Sequence, residues 1–440
     1  MSAPKCLQIS ESRRYIARDD GERFFWLGDT AWELFHRLNR EDADHYLRDR
    51  AAKQFTVIQA VALAELDGLN TPNAYGHRPL IDNDPAQPDL SPSGYWEHVD
   101  YIVDRANSLG LVVGFLPTWG RYWKDPLGSG GIFTPDNAEM YGRWLGKRYR
   151  HASLVWILGG DRPVENDTHR QIIRRMAAGL SDGDGGTHLR TFHSQGAAGS
   201  AQFFHDEPWL DFNFRQNGHA IEYRGRYDQT LVDYRRMPIK PVIDGEPVYE
   251  DVPVDLDLSR ARATAHDARR ALYWDLFSGA CGHTYGHNSV WQMWRPGHTP
   301  ILGASKSWRD ALQSVGARQM RFARTLFESR HISTLVPDQT ILAPDQSAVT
   351  TGPPILAARD ESGRFAMIYA PGGAAVTVRR NVFKSDKIVA TWFNPNDGQI
   401  TRRSTLPNTD EQRFTAPSCG LDTDWILMID RCESLGAAAR

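Results

Sequence analysis

Two carboxylates stand where apolar runs must stop. Asp161 follows the run LVWILGG, and Glu246 follows PVID and one glycine. The glycines ahead of Asp161 permit a sharp turn and a close backbone approach. Pro247, behind Glu246, forbids continuation as helix or sheet ladder. Each run reads as a buried strand, so each acid projects from a strand's end. Two carboxyls converging from such positions suit hydrolysis of a glycosidic bond. One donates a proton to the leaving oxygen, and the other attacks the anomeric carbon or activates water. For that work one acid must hold its proton near neutral pH while the other is ionised. Acids at strand ends also serve as helix caps and ion-pair partners. Asp244 reads as a support for Glu246, and Asp29 equally as a cap or a hydroxyl acceptor.

The elements that must position these acids alternate along most of the chain. Eight short apolar runs read as strands: 23–32, 55–63, 111–119, 153–161, 188–195, 209–217, 240–246 and 280–287. Between them, helical spacing is predicted over 33–54, 95–110, 137–150, 167–182, 225–237 and 258–279. Residues 67–94 are rich in Pro, Asn, Asp and Gly and read as a long loop. Eight strand–helix units predict an α/β protein built on a (β/α)8 TIM barrel, residues 1–334. A doubly wound sheet is the alternative, but no strand is followed by a Gly-x-Gly-x-x-Gly turn. From 335 to 440 short runs separated by Gly, Pro, Asn and Asp predict a small all-β sandwich. The tail ESLGAAAR reads as frayed.

In such a barrel the chemistry gathers at the C-terminal strand ends. Asp29, Trp32, Gln59, Trp119, Arg121, His193, Asn217, Tyr285 and Trp291 stand there and are the candidate sugar contacts. Acids and amides bond hydroxyls, and aromatic faces pack against the apolar edges of a sugar. Arg162 and Arg121 are placed to help keep Glu246 charged. His283 and His287 are four apart on a strand-to-loop segment rather than a helix, so no metal pair is expected, and no cofactor. The rival readings are a metal-dependent barrel hydrolase using His193, His283, His287 and an acid, and a non-catalytic carbohydrate-binding scaffold.

The segments WLGDTAWELFHRL, VWILGGDRP, PVIDGEPVYE and GHTYGHNSVWQMW together resemble glycoside hydrolase family 140. TWFNPNDGQ and DWILMID resemble that family's C-terminal domain. The resemblance implies a retaining clan A (β/α)8 hydrolase acting on apiose-containing glycosides, followed by a β-sandwich labelled collagen-binding. It also implies that Asp161 is the acid/base and Glu246 the nucleophile. The wider clan carries Asn-Glu where Gly160-Asp161 stand here, a departure the family shares.

Bulk properties exclude other classes. The chain has 440 residues, 41% hydrophobic and 24% charged, as expected of a globular protein with a substantial core. The formal net charge of -3, without long runs of one sign, gives no reason to expect a nucleic-acid or membrane partner. Carbohydrate is the expected partner, and oligomeric state is left open. The four cysteines, Cys6, Cys281, Cys419 and Cys432, match no zinc spacing and read as free thiols. The opening residues lack an apolar signal core, so a cytoplasmic location is expected.

Overall fold

A computed structural model describes residues 6–223, 225, 227–330, 335–347, 353–379, 383, 385–408 and 411–432. The tail 433–440, read above as frayed, lies outside the described residues, as does residue 334 at the expected boundary.

Eight parallel strands form the larger unit: β1 Trp26–Thr30, β2 Val57–Val61, β3 Val112–Leu116, β4 Leu154–Gly159, β5 Arg190–His193, β6 Asn213–Gln216, β7 Val242–Asp244 and β8 Gly282–Tyr285. Their order in the sheet is 5-4-3-2-1-8-7-6. Nearly every residue in them is buried, as expected of parallel strands covered on both faces. The barrel closes between β5 and β6 through the Asp211 N–H, which donates to the Arg190 carbonyl at 2.9 Å. The Thr191 hydroxyl donates to the Phe212 carbonyl at 2.7 Å beside it. A ninth, antiparallel strand was not expected. Ala198–Gly199 turns back after β5 and pairs with the mouth end of β6, Ala198 opposite Gln216.

Register brings the chemistry together. Gly159 lies opposite His193, and Asp244 lies opposite both His283 and Arg215. The expected helices appear in order, two of them with clearly shifted bounds, and Val315–Glu328 is a further helix that was not expected. Segment 33–54 breaks at Leu38–Asn39, where Asn39 turns out of the helix and its side chain caps Arg40–Ala52 through the Asp42 N–H. The helix expected from 258 begins only at Ala265, because Thr264 and Asp267 form a capping box there. Residues before it form a loop clasped by Arg262, which donates to the Leu302 and Gly303 carbonyls.

Helices Pro135–Tyr149 and Asp167–Asp184 flank β4 and touch backbone to backbone. A Cβ on Gly142 would lie 2.6 Å from the Met176 carbonyl oxygen, and one on Gly179 would lie 2.2 Å from that of Glu139. Gly146 and Gly183 repeat the approach one turn on, so small residues four apart set this close crossing.

The second unit is a six-stranded antiparallel sheet built on Phe365–Pro371, Lys387–Phe393 and Asp424–Arg431, with a two-stranded ribbon, Val376–Arg379 and Glu411–Phe414, as its second layer. Val376, Val378 and Phe414 from the ribbon share an apolar core with Ile368, Leu427 and Ile429 of the sheet. The sheet's other face packs on the barrel helix Ala265–Phe277. There Tyr369 stacks on Tyr273 at 5.3 Å, and the Arg269 guanidinium lies 2.7 Å from the Asp424 carboxylate.

Candidate active site

Asp161 owes its position to an unusual exit from β4. Gly159 (φ 97), Gly160 (φ 106) and Asp161 (φ 49) are three consecutive residues in the left-handed region. A Cβ on Gly159 would meet the His193 carbonyl oxygen at 2.3 Å, so glycine is needed for space as well as for conformation. The Asp161 N–H donates to His193 Nδ1 at 3.1 Å. With Nδ1 accepting, the ring proton of a neutral His193 belongs on Nε2. That atom lies 2.9 Å from Glu246 Oε2. One imidazole therefore ties the backbone of one carboxylate residue to the side chain of the other.

Glu246 is 5% exposed. Gly245 ahead of it is required by packing, since a Cβ there would lie 1.9 Å from the Phe214 ring. The Glu246 N–H donates to Asp244 Oδ1 at 3.2 Å, and His219 Nε2 stands 3.3 Å from Oε1. Behind this sits a buried network. Asn217 Nδ2 donates to Asp244 Oδ2 at 2.8 Å and to Asp275 Oδ1 at 3.0 Å, and Asp275 Oδ2 lies 2.7 Å from His283 Nδ1.

Electrostatics separates the two acids. Burial raises the pKa of Asp161 and the Glu246 charge raises it further, against His193 and Arg162. Burial would also raise Glu246, but His193 and His219 at its oxygens outweigh that and hold it at about 2. Arg162 does not serve Glu246 as expected. Its Nη1 lies 3.1 Å from Asp161 Oδ2, and the histidines take the role assigned to arginine.

Both carboxyls face one cavity of about 480 Å³, within the range of small-ligand sites. Trp32, Trp119 and Trp291 line it, as the sequence suggests. His193 lies beneath them, edge-on to Trp32 at 5.5 Å. His193 and five further expected contacts do not line the cavity. Asp29 is fully buried with Arg50 Nε 3.0 Å away, and burial raises its pKa to about 6. Gln59 donates to the Gly245 carbonyl at 2.9 Å, and Asn217 holds the Asp244–Asp275 pair. The Tyr285 hydroxyl donates to Glu250 at 2.6 Å. Arg121 packs against the Tyr122 ring outside the cavity wall. Asp29, Gln59, Asn217 and Tyr285 brace the site because buried partners hold their polar groups away from the mouth. Glu65, Gln216, His219 and Tyr249 line the cavity and were not among the expected contacts. Gln216 and Tyr249 stand one residue before Asn217 and three after Glu246, so strand-end position pointed to them. Glu65 and His219 lie in loops, where no periodicity marks them.

Among the described residues, Asp244, Asp275 and His283 have potential metal-ligand atoms within 4.8 Å of one another. They are engaged in the hydrogen bonds above, and burial pushes Asp275 up to about 8 and His283 down to about 4. Asp244, raised by burial and by Asp275, shares a hydrogen bond with it, so this cluster is built around protons. His287 is separate and caps Asn288–Trp291 by accepting from the Ser289 N–H.

Solved structures with this shape define the class. One described as a glycoside hydrolase matches with a TM-score of 0.88 and 32% identity, over 99% of this chain and 99% of that chain. A glycoside hydrolase family 5 structure from Bacteroides vulgatus ATCC 8482 matches with a TM-score of 0.88 and 31% identity, over 98% of this chain and 95% of that chain. A fold of this kind with two acids at one mouth makes the protein a glycoside hydrolase. Residues 10–334 match the family model described as "Apiosidase-like, catalytic domain", and 336–430 match "Putative collagen-binding domain of a collagenase". The chain belongs to the apiosidase-like family. No curated protein matches it.

Proposed function

We propose that this protein is a retaining glycosidase that removes an apiose-like or other pentofuranosyl residue from a short oligosaccharide or glycoside. Glu246 attacks the anomeric carbon, and Asp161 protonates the leaving oxygen. Asp161 then takes a proton from the water that breaks the glycosyl–Glu246 ester, which restores both groups. The observation that carries this reading is one cavity lined by two carboxyls with opposed protonation, Glu246 held near 2 and Asp161 raised. A double displacement requires carboxyls ~5–5.5 Å apart. The family membership supports the apiose-like glycone. The small cavity supports a short substrate, and free cysteines, among them exposed Cys419, support a reducing compartment such as the cytoplasm. Among the described residues no helix is long and apolar enough to cross a membrane.

A panel of aryl pentofuranosides and pyranosides, with NMR of the first-formed anomer, tests the proposal. The expected product keeps the substrate's anomeric configuration. Asp161→Asn should lower turnover by about 10²–10⁴-fold, and Glu246→Gln should abolish it, both in a protein that keeps its fold by circular dichroism. An inverted first product, or full turnover by either variant, refutes the assignment.

A further inference from the structure

The cavity holds a third carboxyl that the two-acid chemistry does not use. Glu65 stands on the turn after β2 and lines the same cavity as Asp161 and Glu246. The turn around it is braced. The Leu66 N–H donates to Glu33 Oε1 at 2.9 Å, and Glu33 is itself fully buried with His36 Nδ1 2.7 Å from its other oxygen. The Tyr122 hydroxyl donates to the Ala64 carbonyl at 2.9 Å. Among the described residues the Glu65 carboxyl makes no hydrogen bond or ion pair of its own, and Arg162 is engaged with Asp161. A side chain held on a supported turn, aimed into a cavity and left without a protein partner, is available to a ligand.

Its charge state favours one kind of ligand. Burial, then the charges of Asp161, Glu33 and Glu246, push Glu65 up to about 8 against the opposing pull of Arg162. At neutral pH it therefore keeps its proton and can both donate and accept a hydrogen bond. A sugar hydroxyl has the same two capacities.

We propose that Glu65 is a substrate contact: its carboxyl hydrogen-bonds a hydroxyl of the sugar flanked by Asp161 and Glu246, and thereby selects which neutral sugar the cavity accepts. This rests on the glycosidase reading above. A site built to bond a hydroxyl discriminates against an analogue that lacks it, because the buried polar group is then left unpaired.

The test compares wild type, Glu65→Gln and Glu65→Leu. The amide keeps a donor and an acceptor at nearly the same length, and leucine keeps the bulk alone. Calorimetric binding of free pentoses and hexoses, with their single deoxy analogues, is measured on either side of pH 8, and kcat and KM are measured on the best aryl glycoside. Glu65→Leu should weaken sugar binding and raise KM by roughly tenfold, with a smaller change in kcat. Glu65→Gln should bind like wild type below pH 8. One deoxy sugar should bind roughly tenfold more weakly than its parent to wild type and about equally to Glu65→Leu. Wild type should lose affinity as pH rises through about 8, and Glu65→Gln should not. Asp161, Glu33, Glu246 and Arg162, which face this carboxyl, are unchanged in both variants, so a pH effect removed by glutamine belongs to residue 65. Equal binding by all three proteins, or no sugar binding by wild type, overturns the proposal. Turnover with indifferent variants would remove Glu65 and leave the glycosidase reading intact. Glu65-dependent sugar binding without turnover of any glycoside would do the reverse. If the leucine variant does not fold, the glutamine pH comparison and the deoxy series on wild type still decide.

Discussion

His193 connects the two acids. Its Nδ1 accepts from the Asp161 backbone, which leaves Nε2 to face Glu246. His193→Ala should let the Glu246 pKa climb from about 2 toward the ordinary 4.5, because burial then acts with less opposition. The acid limb of kcat/KM should move up in pH with it, and the rate at neutral pH should fall by about 10–100-fold, as when the partner that orients a reacting group is lost. A pH–rate profile identical to wild type would show that His193 only packs. The same shifts couple the site to stability. Glu246 is depressed in the folded state, so its contribution is present above about pH 4.5 and lost as pH falls toward 2. Glu65 is raised, so its contribution is full below about pH 4.5 and is lost as pH rises toward 8. Glu65→Gln should therefore flatten the decline in melting temperature between those values, which thermal melts across pH would read. The site's raised carboxyls oppose the fold at neutral pH, as expected where function sets the charges.

At the scale of elements, two sets of glycines do different work. Gly160 lets β4 deliver Asp161: its φ is 106, and an added Cβ would lie 2.9 Å from the Gly120 nitrogen. Gly160→Ala should strain the turn by about 1–3 kcal/mol and displace the proton donor, lowering kcat by roughly 10²-fold. Gly179 lies far from the cavity, between the two helices beside β4. Gly179→Leu should force those helices apart and lower stability by about 1–3 kcal/mol or more, while kcat of the folded fraction stays near wild type. Paired melting and single-temperature kinetics separate the two cases, and a normal kcat in Gly160→Ala would count against the delivery role. Both glycine patterns are visible in the chain, GGD at a strand end and glycines four apart on two helices. The strand–helix rhythm is equally local, and it predicts all eight barrel strands. The antiparallel Ala198–Gly199 strand is not local in this sense. It exists because the mouth end of β6 runs past its contacts with β5 and is free to pair with it, and its own two residues carry no strand signal.

In the whole molecule the C-terminal sheet braces the outside of the barrel near β7 and β8. Arg269 and Asp424 are both buried at this junction, with Tyr369 donating to the same carboxylate at 3.1 Å. Removing one member of such a pair leaves an uncompensated charge, so Asp424→Ala should destabilise by about 3–5 kcal/mol. Replacing Arg269 and Asp424 together with Met and Leu should recover much of that loss. Denaturant titrations of the single and double variants would show it, and equal losses would mean that packing rather than charge joins the units.

The amino-acid sequence by itself determined which residues reach the mouth along the strands. Asp161, Glu246, Trp32, Trp119 and Trp291 all line the cavity, because alternation and strand ends are properties of short segments. Only the tertiary structure decided which polar strand-end residues turn inward. Asp29, Gln59, Asn217 and Tyr285 stand at comparable positions, yet barrel register and neighbouring partners claim their polar groups. It also decided the protonation of the acids, since burial and the approach of His193 and His219 come from segments distant in the chain. A pKa depends on what surrounds a group in space, and a linear pattern carries little of that information.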